Sequence, residues 1–153
     1  MPAISRQLVE SYFRACLTYD PHQIVPWLDD DVEWSCTGPV DVIRFCGTWR
    51  GKQDVLDIMV RVAPSVIRLK SVQLEDILIE GEHAASLTRL TATHVSTGRT
   101  VSYRCVHFLR FRESKLVAFR ALIDSFDAAE QMLGHPIEIA EAQPAHASTV
   151  FAI

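Results

Sequence analysis

The hydrophobic period of the chain changes at Ile67, and that change limits the possible folds more than any other feature. Before it, apolar residues recur mainly at helical spacing. After it they follow strand periodicity in four successive segments, near 67–80, 84–95, 100–112 and 115–124. Gly81, "STGR" and "RESK" separate these segments, each short enough to be a hairpin turn. Consecutive strands joined by tight turns form an antiparallel meander. Since a sheet must bury at least one face, the helices that precede it are the natural cover, which makes the class α+β.

Leu8, Tyr12, Cys16 and Tyr19, with Val9 and Phe13 beside them, predict an amphipathic helix over 4–19. Asp20 then supplies an N-cap, Pro21 suits the first helical position and Gln23 stands where a capping-box partner would, so a short second helix runs toward Leu28. "VEWSC" alternates as a half-buried strand does, whereas "TGPVDVIRFCGTWRG" reads as turn-rich. Val55, Ile58, Met59 and Val62 define one side of a third helix over 52–63, with Pro64 expected to stop it. "DSFDAAEQMLG" predicts a closing helix that ends at Gly134. Residues 1–134 are thus expected to form the domain. Residues 135–153, with two prolines and an apolar end, form an extension expected on a pocket mouth or a neighbouring subunit.

A chain of 153 residues is long enough to close one core. Its 48% hydrophobic and 22% charged residues leave apolar side chains over for a cavity or a subunit contact. A net charge of −4 gives no electrostatic reason to expect nucleic acid or an anionic membrane as partner. The N-terminus lacks the basic segment and unbroken apolar run of a signal peptide or membrane span. Four cysteines without a C-x-x-C pair are expected as reduced thiols of a cytoplasmic protein. The scattered histidines show no metal-binding spacing and no glycine-rich phosphate loop is present, so neither a metal nor another cofactor is expected.

With Glu113 and Ser114 at the tip of a two-residue loop, an uninterrupted antiparallel register sets His107 opposite Arg120, Cys105 opposite Leu122 and Tyr103 opposite Asp124. Side chains alternate across a sheet, so all six project to one side. A phenol, an imidazole, a guanidinium and a carboxylate between apolar spacers suit a cavity with a few convergent polar groups. Val106, Phe108 and Phe119 fall on the opposite face, where an apolar cover is required; a homodimer is the expected one. Asp124 has two readings, as cap of the last helix or as cavity acid. Asp127 with Glu130 offers that helix another capping pair and so frees Asp124 for the cavity.

The order of "LDDDVEW", "CGTWRGKQDVLDIM", "TGR" and "VHFLRFRESKLVAFRALIDS" resembles the SnoaL-like and ketosteroid-isomerase-like group of the nuclear-transport-factor-two-like superfamily, over roughly residues 5 to 134. The resemblance implies a cone-shaped α+β barrel, its curved antiparallel sheet wrapped around the N-terminal helices and enclosing an apolar pocket, usually in a homodimer. It matches Tyr12 to the carbonyl-polarising helix tyrosine of the isomerases, His107 to their protonated acid and Cys36 to their proton-moving aspartate, so the isomerase base is missing. In SnoaL-like cyclases the acid/base aspartate ends the last strand, the position matched by Asp124. Epoxide hydrolases of the superfamily add an Arg and a second Asp from the neighbouring strand, and "VSYRCVHFLRF" contains no Asp.

These readings combine into a cofactor-independent enzyme of isomerase or cyclase type, acting on a small apolar carbonyl compound. Asp124 moves the proton and His107 and Tyr12 assist. Tyr103, Cys105, Arg120, Leu122, Trp34, Cys36, Phe13 and Met59 are expected to contact the substrate. The alternative is a non-catalytic apolar-ligand-binding or dimeric assembly module, which the cysteine at the isomerase-base position supports.

Overall fold

The computed structural model describes residues 3–140. Helix α1 (Arg6–Leu17) starts where the Ser5 hydroxyl accepts from the Leu8 N–H, and it buries Val9, Tyr12 and Ala15. Helix α2 (Pro21–Ile24) is capped by Asp20, as its sequence requires, and a single 3₁₀ turn, Val25–Trp27, leads into strand β1 (Leu28–Thr37). A second, four-residue strand, β2 (Gly47–Arg50), pairs antiparallel with β1. The expectation of turn-rich structure through this stretch is therefore corrected at its end.

Helix α3 (Lys52–Asp57) runs through a π-helical turn (Ile58–Val62) into α4 (Ala63–Val66). Pro64 does not stop this helix. It lies in the first turn after the π segment, where the change of hydrogen-bond spacing already disrupts the α ladder and a missing N–H costs least. Strands β3 (Ile67–Glu80), β4 (His83–His94), β5 (Thr100–Arg112) and β6 (Lys115–Ile123) then form the antiparallel meander, and α5 (Ser125–Leu133) closes the domain at Gly134.

The six strands lie in one curved, unclosed sheet of order β2-β1-β6-β5-β4-β3. It is mixed rather than wholly antiparallel, because β1 runs parallel to β6. Register shifts between Leu69 and Ser71 and between Leu74 and Asp76 interrupt the long β3–β4 ladder, and such bulges bend and twist a strand. The inner face of the sheet packs against α1, where the Tyr12 ring meets Phe111 edge-on at 5.9 Å. β5 runs on beyond the end of β6, which leaves backbone groups of β5 unpaired on that side. Gln131 of α5 satisfies two of them, accepting from the Ser102 N–H and donating to the Ser102 carbonyl, each at 2.7 Å.

Candidate functional site

The β5–β6 hairpin determines which side chains face inward. Its loop is the expected two residues, with Arg112 opposite Lys115 and positive φ at Glu113 (51°) and Ser114 (63°), as a tight primed turn demands. One turn further the register shifts: Phe111 pairs with Leu116, but Arg110 pairs with Ala118. Val117 is the extra residue of a β-bulge. Beyond it every pair is displaced by one, so that His107 faces Ala121, Cys105 faces Ile123 and Phe108 faces Arg120.

The expected face is corrected accordingly. Tyr103, Cys105 and His107 do point inward and are buried, joined from β6 by Phe119, Ala121 and Ile123. Arg120 is exposed and Leu122 is 43% exposed, both turned to the outer face. Asp124 is exposed as well: its carboxylate accepts from the Asp127 N–H at 3.5 Å, its own N–H donates to the Arg104 carbonyl, and it is the N-cap of α5. The expectation that Asp124 looks into the cavity is not met, and Asp127 lies in the first turn of α5 rather than at its cap.

The cavity between α1, the α3–α4 segment and the inner sheet face has a volume of about 130 Å³. Of the expected contact residues, Phe13, Trp34, Cys36, Met59, Tyr103 and Cys105 line it, as do Tyr12 and His107, expected to assist the proton transfer. So do Cys16, Tyr19, Phe45 and Leu90, which the sequence did not single out. Cys16 and Tyr19 could have been found, since they share the helical stripe of Tyr12; Phe45 lay in the stretch read as turn. No Asp, Glu, Lys or Arg is among the described residues that line the cavity. Trp34 stacks flat on Phe119, centroids 5.1 Å apart and planes 3° apart, while Phe13 and Phe119 each place a ring centroid 5.2 Å from the His107 imidazole.

Within this apolar lining His107 has its own partners. The Thr88 hydroxyl donates to the Cys105 carbonyl at 3.1 Å, which leaves its oxygen to accept from His107 Nδ1 at 3.4 Å. The network therefore assigns the proton to Nδ1, and His107 Nε2 accepts from the Cys105 thiol at 3.3 Å. Burial lowers the His107 pKa to about 4 and raises that of Cys105 to about 12, with the nearby Cys46 thiol adding to the latter. Both groups are neutral at pH 7.

The hydroxyls of Tyr12 and Tyr103 are also buried, and neither has a hydrogen-bond partner among the described residues. Burial holds both phenols above their ordinary pKa. A neighbouring thiol, Cys16 for Tyr12 and Cys105 for Tyr103, adds to the effect. Among the described residues neither hydroxyl meets an oxygen or nitrogen acceptor, and Tyr12 has only the weakly accepting Cys16 sulfur beside it; leaving such a group unpaired costs about 1–3 kcal/mol. Among the described residues no cluster of three or more His, Cys, Asp or Glu is arranged to hold a metal ion, and no helix is long and apolar enough to cross a membrane.

A bent sheet folded over N-terminal helices, with an apolar cavity between them, defines an α+β protein of the NTF2-like fold. The chain belongs to the SnoaL-like domain family, whose model matches residues 9–119. Among solved structures it is similar to a Rhodopseudomonas palustris protein carrying a provisional isomerase designation. That protein is 27% identical, with a TM-score of 0.78, over 86% of this chain and 100% of the other. An NTF2-like protein from Burkholderia xenovorans LB400 is 23% identical, with a TM-score of 0.67, over 81% and 92% of the two chains. An LEH-like epoxide hydrolase of M. tuberculosis shares the fold at 15% identity, with a TM-score of 0.68, over 84% and 88%. No protein of curated function matches the chain significantly.

Proposed function

We propose that the protein binds a small, neutral, largely apolar molecule bearing a carbonyl or similar acceptor oxygen. The observation that carries this reading is the pair of buried tyrosine hydroxyls, Tyr12 and Tyr103, without an oxygen or nitrogen acceptor among the described residues, in a lining where no described side chain is charged. A ligand oxygen would give one or both donors the acceptor they lack, and its apolar body would fill the space bounded by Trp34, Phe119 and Phe13. A charged ligand would have to leave water for a site that offers no counter-charge.

The test is binding of cyclohexanone compared with methylcyclohexane and cyclohexanecarboxylate, followed by ligand-observed NMR and thermal stabilisation. The ketone is expected to bind more tightly than the hydrocarbon, with the carboxylate not bound at pH 7. Tyr12→Phe or Tyr103→Phe should weaken the ketone about 3- to 10-fold, as loss of one net hydrogen bond does, and leave the hydrocarbon unaffected. Equal binding of ketone and hydrocarbon, or preferred binding of the carboxylate, would overturn the reading.

One observation favours a catalytic version. The isomerase-designated neighbour is aligned along its whole length at 27% identity. Among the described residues, the groups placed to polarise a ketone and exchange its α-proton are the Tyr12 and Tyr103 hydroxyls and the Cys105–His107 pair, since Asp124 lies outside the cavity. Deuterium incorporation next to the ketone carbonyl in D₂O measures this directly. Exchange above the buffer rate that is lost in His107→Leu supports an enzyme, and exchange at the buffer rate leaves a binding protein.

A further inference from the structure

The sulfur of Cys46 lies 3.7 Å from that of Cys36, and both residues are buried. The contact is built by structure on both sides. Cys36 stands near the end of β1, opposite Gly47. Cys46 ends the segment that crosses from β1 to β2. That segment is held by hydrogen bonds from Ile43 N–H to Pro39 O (2.7 Å) and from Cys46 N–H to Ile43 O (2.9 Å), and anchored by the buried Ile43 and Phe45. Gly38 makes the room: a Cβ at that position would stand 2.6 Å from the Cys46 sulfur. A glycine, a backbone turn and two apolar anchors thus hold one thiol against another at the wall of the cavity, which Cys36 lines.

We propose that Cys36 and Cys46 are a peroxide-sensitive dithiol that closes to a disulfide, tying the 38–46 segment to β1 beside the cavity. A sulfur–sulfur bond is about 2.0 Å long, so the two atoms approach by less than two ångströms, within reach of small side-chain rotations. Hydrogen peroxide is the oxidant, being small and neutral enough to reach sulfurs this buried. One thiol sulfur attacks a peroxide oxygen and breaks the O–O bond, giving a sulfenic acid and water. The second sulfur then attacks the first and displaces its hydroxyl group. The thiol proton leaves with that group as a second water. The Cys46 S–H points at the Cys36 sulfur, so the two sulfurs already face each other, and either can make the first attack. The inference does not depend on what fills the cavity.

The test is peptide mapping of the intact protein after mild hydrogen peroxide, alkylated in denaturant and digested with trypsin without reduction. Cleavage after Arg14, Arg44 and Arg50 separates the two sulfurs, so the bridge appears as a cross-link between peptides 15–44 and 45–50, with fragmentation placing it on Cys36 rather than Cys16. Two of the four thiols should be lost together and return with dithiothreitol, while Cys16 and Cys105 remain alkylated. Gly38→Ala, which displaces the Cys46 sulfur, should slow bridging several-fold, and Cys46→Ser should abolish the cross-link. Four free thiols after oxidation, a bridge through Cys105, or sulfinic acid at Cys36 or Cys46 without a cross-link would each overturn the proposal.

Discussion

The Cys105 thiol donates to Nε2 of His107 at 3.3 Å, and burial keeps the imidazole neutral, with a pKa near 4. An unfolded chain binds a proton at this residue near the ordinary value of 6.5, whereas the folded one does so only near 4. Between those values the unfolded state holds more protons, so stability is fully present above about pH 6.5 and falls as the pH drops toward 4. The loss should amount to a few kcal/mol. His94, whose pKa burial also lowers, contributes in the same direction. Urea titrations of the wild type and His107→Leu from pH 7 to pH 4 separate the two. The variant should lose most of the acid dependence while staying within about 1–2 kcal/mol of wild type at pH 7, since Thr88 retains the Cys105 carbonyl as its partner. An unchanged acid slope in the variant would show that His107 titrates normally.

Asp124 serves α5 rather than the cavity. As an exposed N-cap with one long hydrogen bond, it should be replaceable by Asn, which caps equally well, with no change in ligand affinity or stability. Asp124→Ala should cost about 0.5–1 kcal/mol, and lower Tm by about 1–4 °C, while leaving affinity for cyclohexanone unaltered. Calorimetry with the same ligand measures both quantities. A ten-fold loss of binding or of proton exchange in Asp124→Asn would return this carboxylate to the site.

One residue explains most of what the sequence reading of the site lacked. The meander was legible almost to the residue, because periodicity and turn chemistry agree: strands expected at 67–80, 84–95, 100–112 and 115–124 are found at 67–80, 83–94, 100–112 and 115–123. The hairpin loop of Glu113 and Ser114 was legible too. The bulge at Val117 was not, since a β-branched apolar residue in a strand looks the same whether paired or extra. Its effect is that Arg120, Leu122 and Asp124 leave the expected inner face and Phe119, Ala121 and Ile123 take it. Tyr12, Tyr103, Cys105 and His107 were placed correctly because they precede the bulge or lie on another element. β2 escaped notice for a different reason: four residues beginning with glycine carry no measurable period.

Tyr19 holds the end of α1 to the sheet edge. Its hydroxyl accepts from the Leu69 N–H at 2.7 Å, across fifty residues of sequence and at a point where the β3–β4 register shifts. Its backbone has a φ of 54°, a conformation that non-glycine residues seldom adopt. Tyr19→Phe should therefore destabilise the fold by about 1–2 kcal/mol, by orphaning a part-buried N–H without removing the ring from the cavity wall. Amide hydrogen exchange at Leu69 should accelerate in that variant, and a protection factor equal to wild type would show that water replaces the hydroxyl without cost.

The outer sheet face remains to be covered. Phe108 is 49% exposed and Leu122 43% exposed; Leu122 is paired with Val106 and Phe108 with Arg120. Around them Glu75 holds Arg104 at 3.0 Å and Arg89 at 3.4 Å, offsetting part of the charge of two arginines that stand directly opposite each other. A face that exposes apolar side chains, with Glu75 offsetting part of the charge of its arginines, is one that a second copy of the chain would cover in a two-fold contact. Light scattering at micromolar concentration should accordingly give twice the 17.2 kDa chain mass. Phe108→Glu, which places a carboxylate in the middle of the apolar patch, should shift the species to one chain while leaving its far-ultraviolet circular dichroism intact. If the wild type is itself monomeric, or if Phe108→Glu remains a dimer, the subunits do not meet through this face.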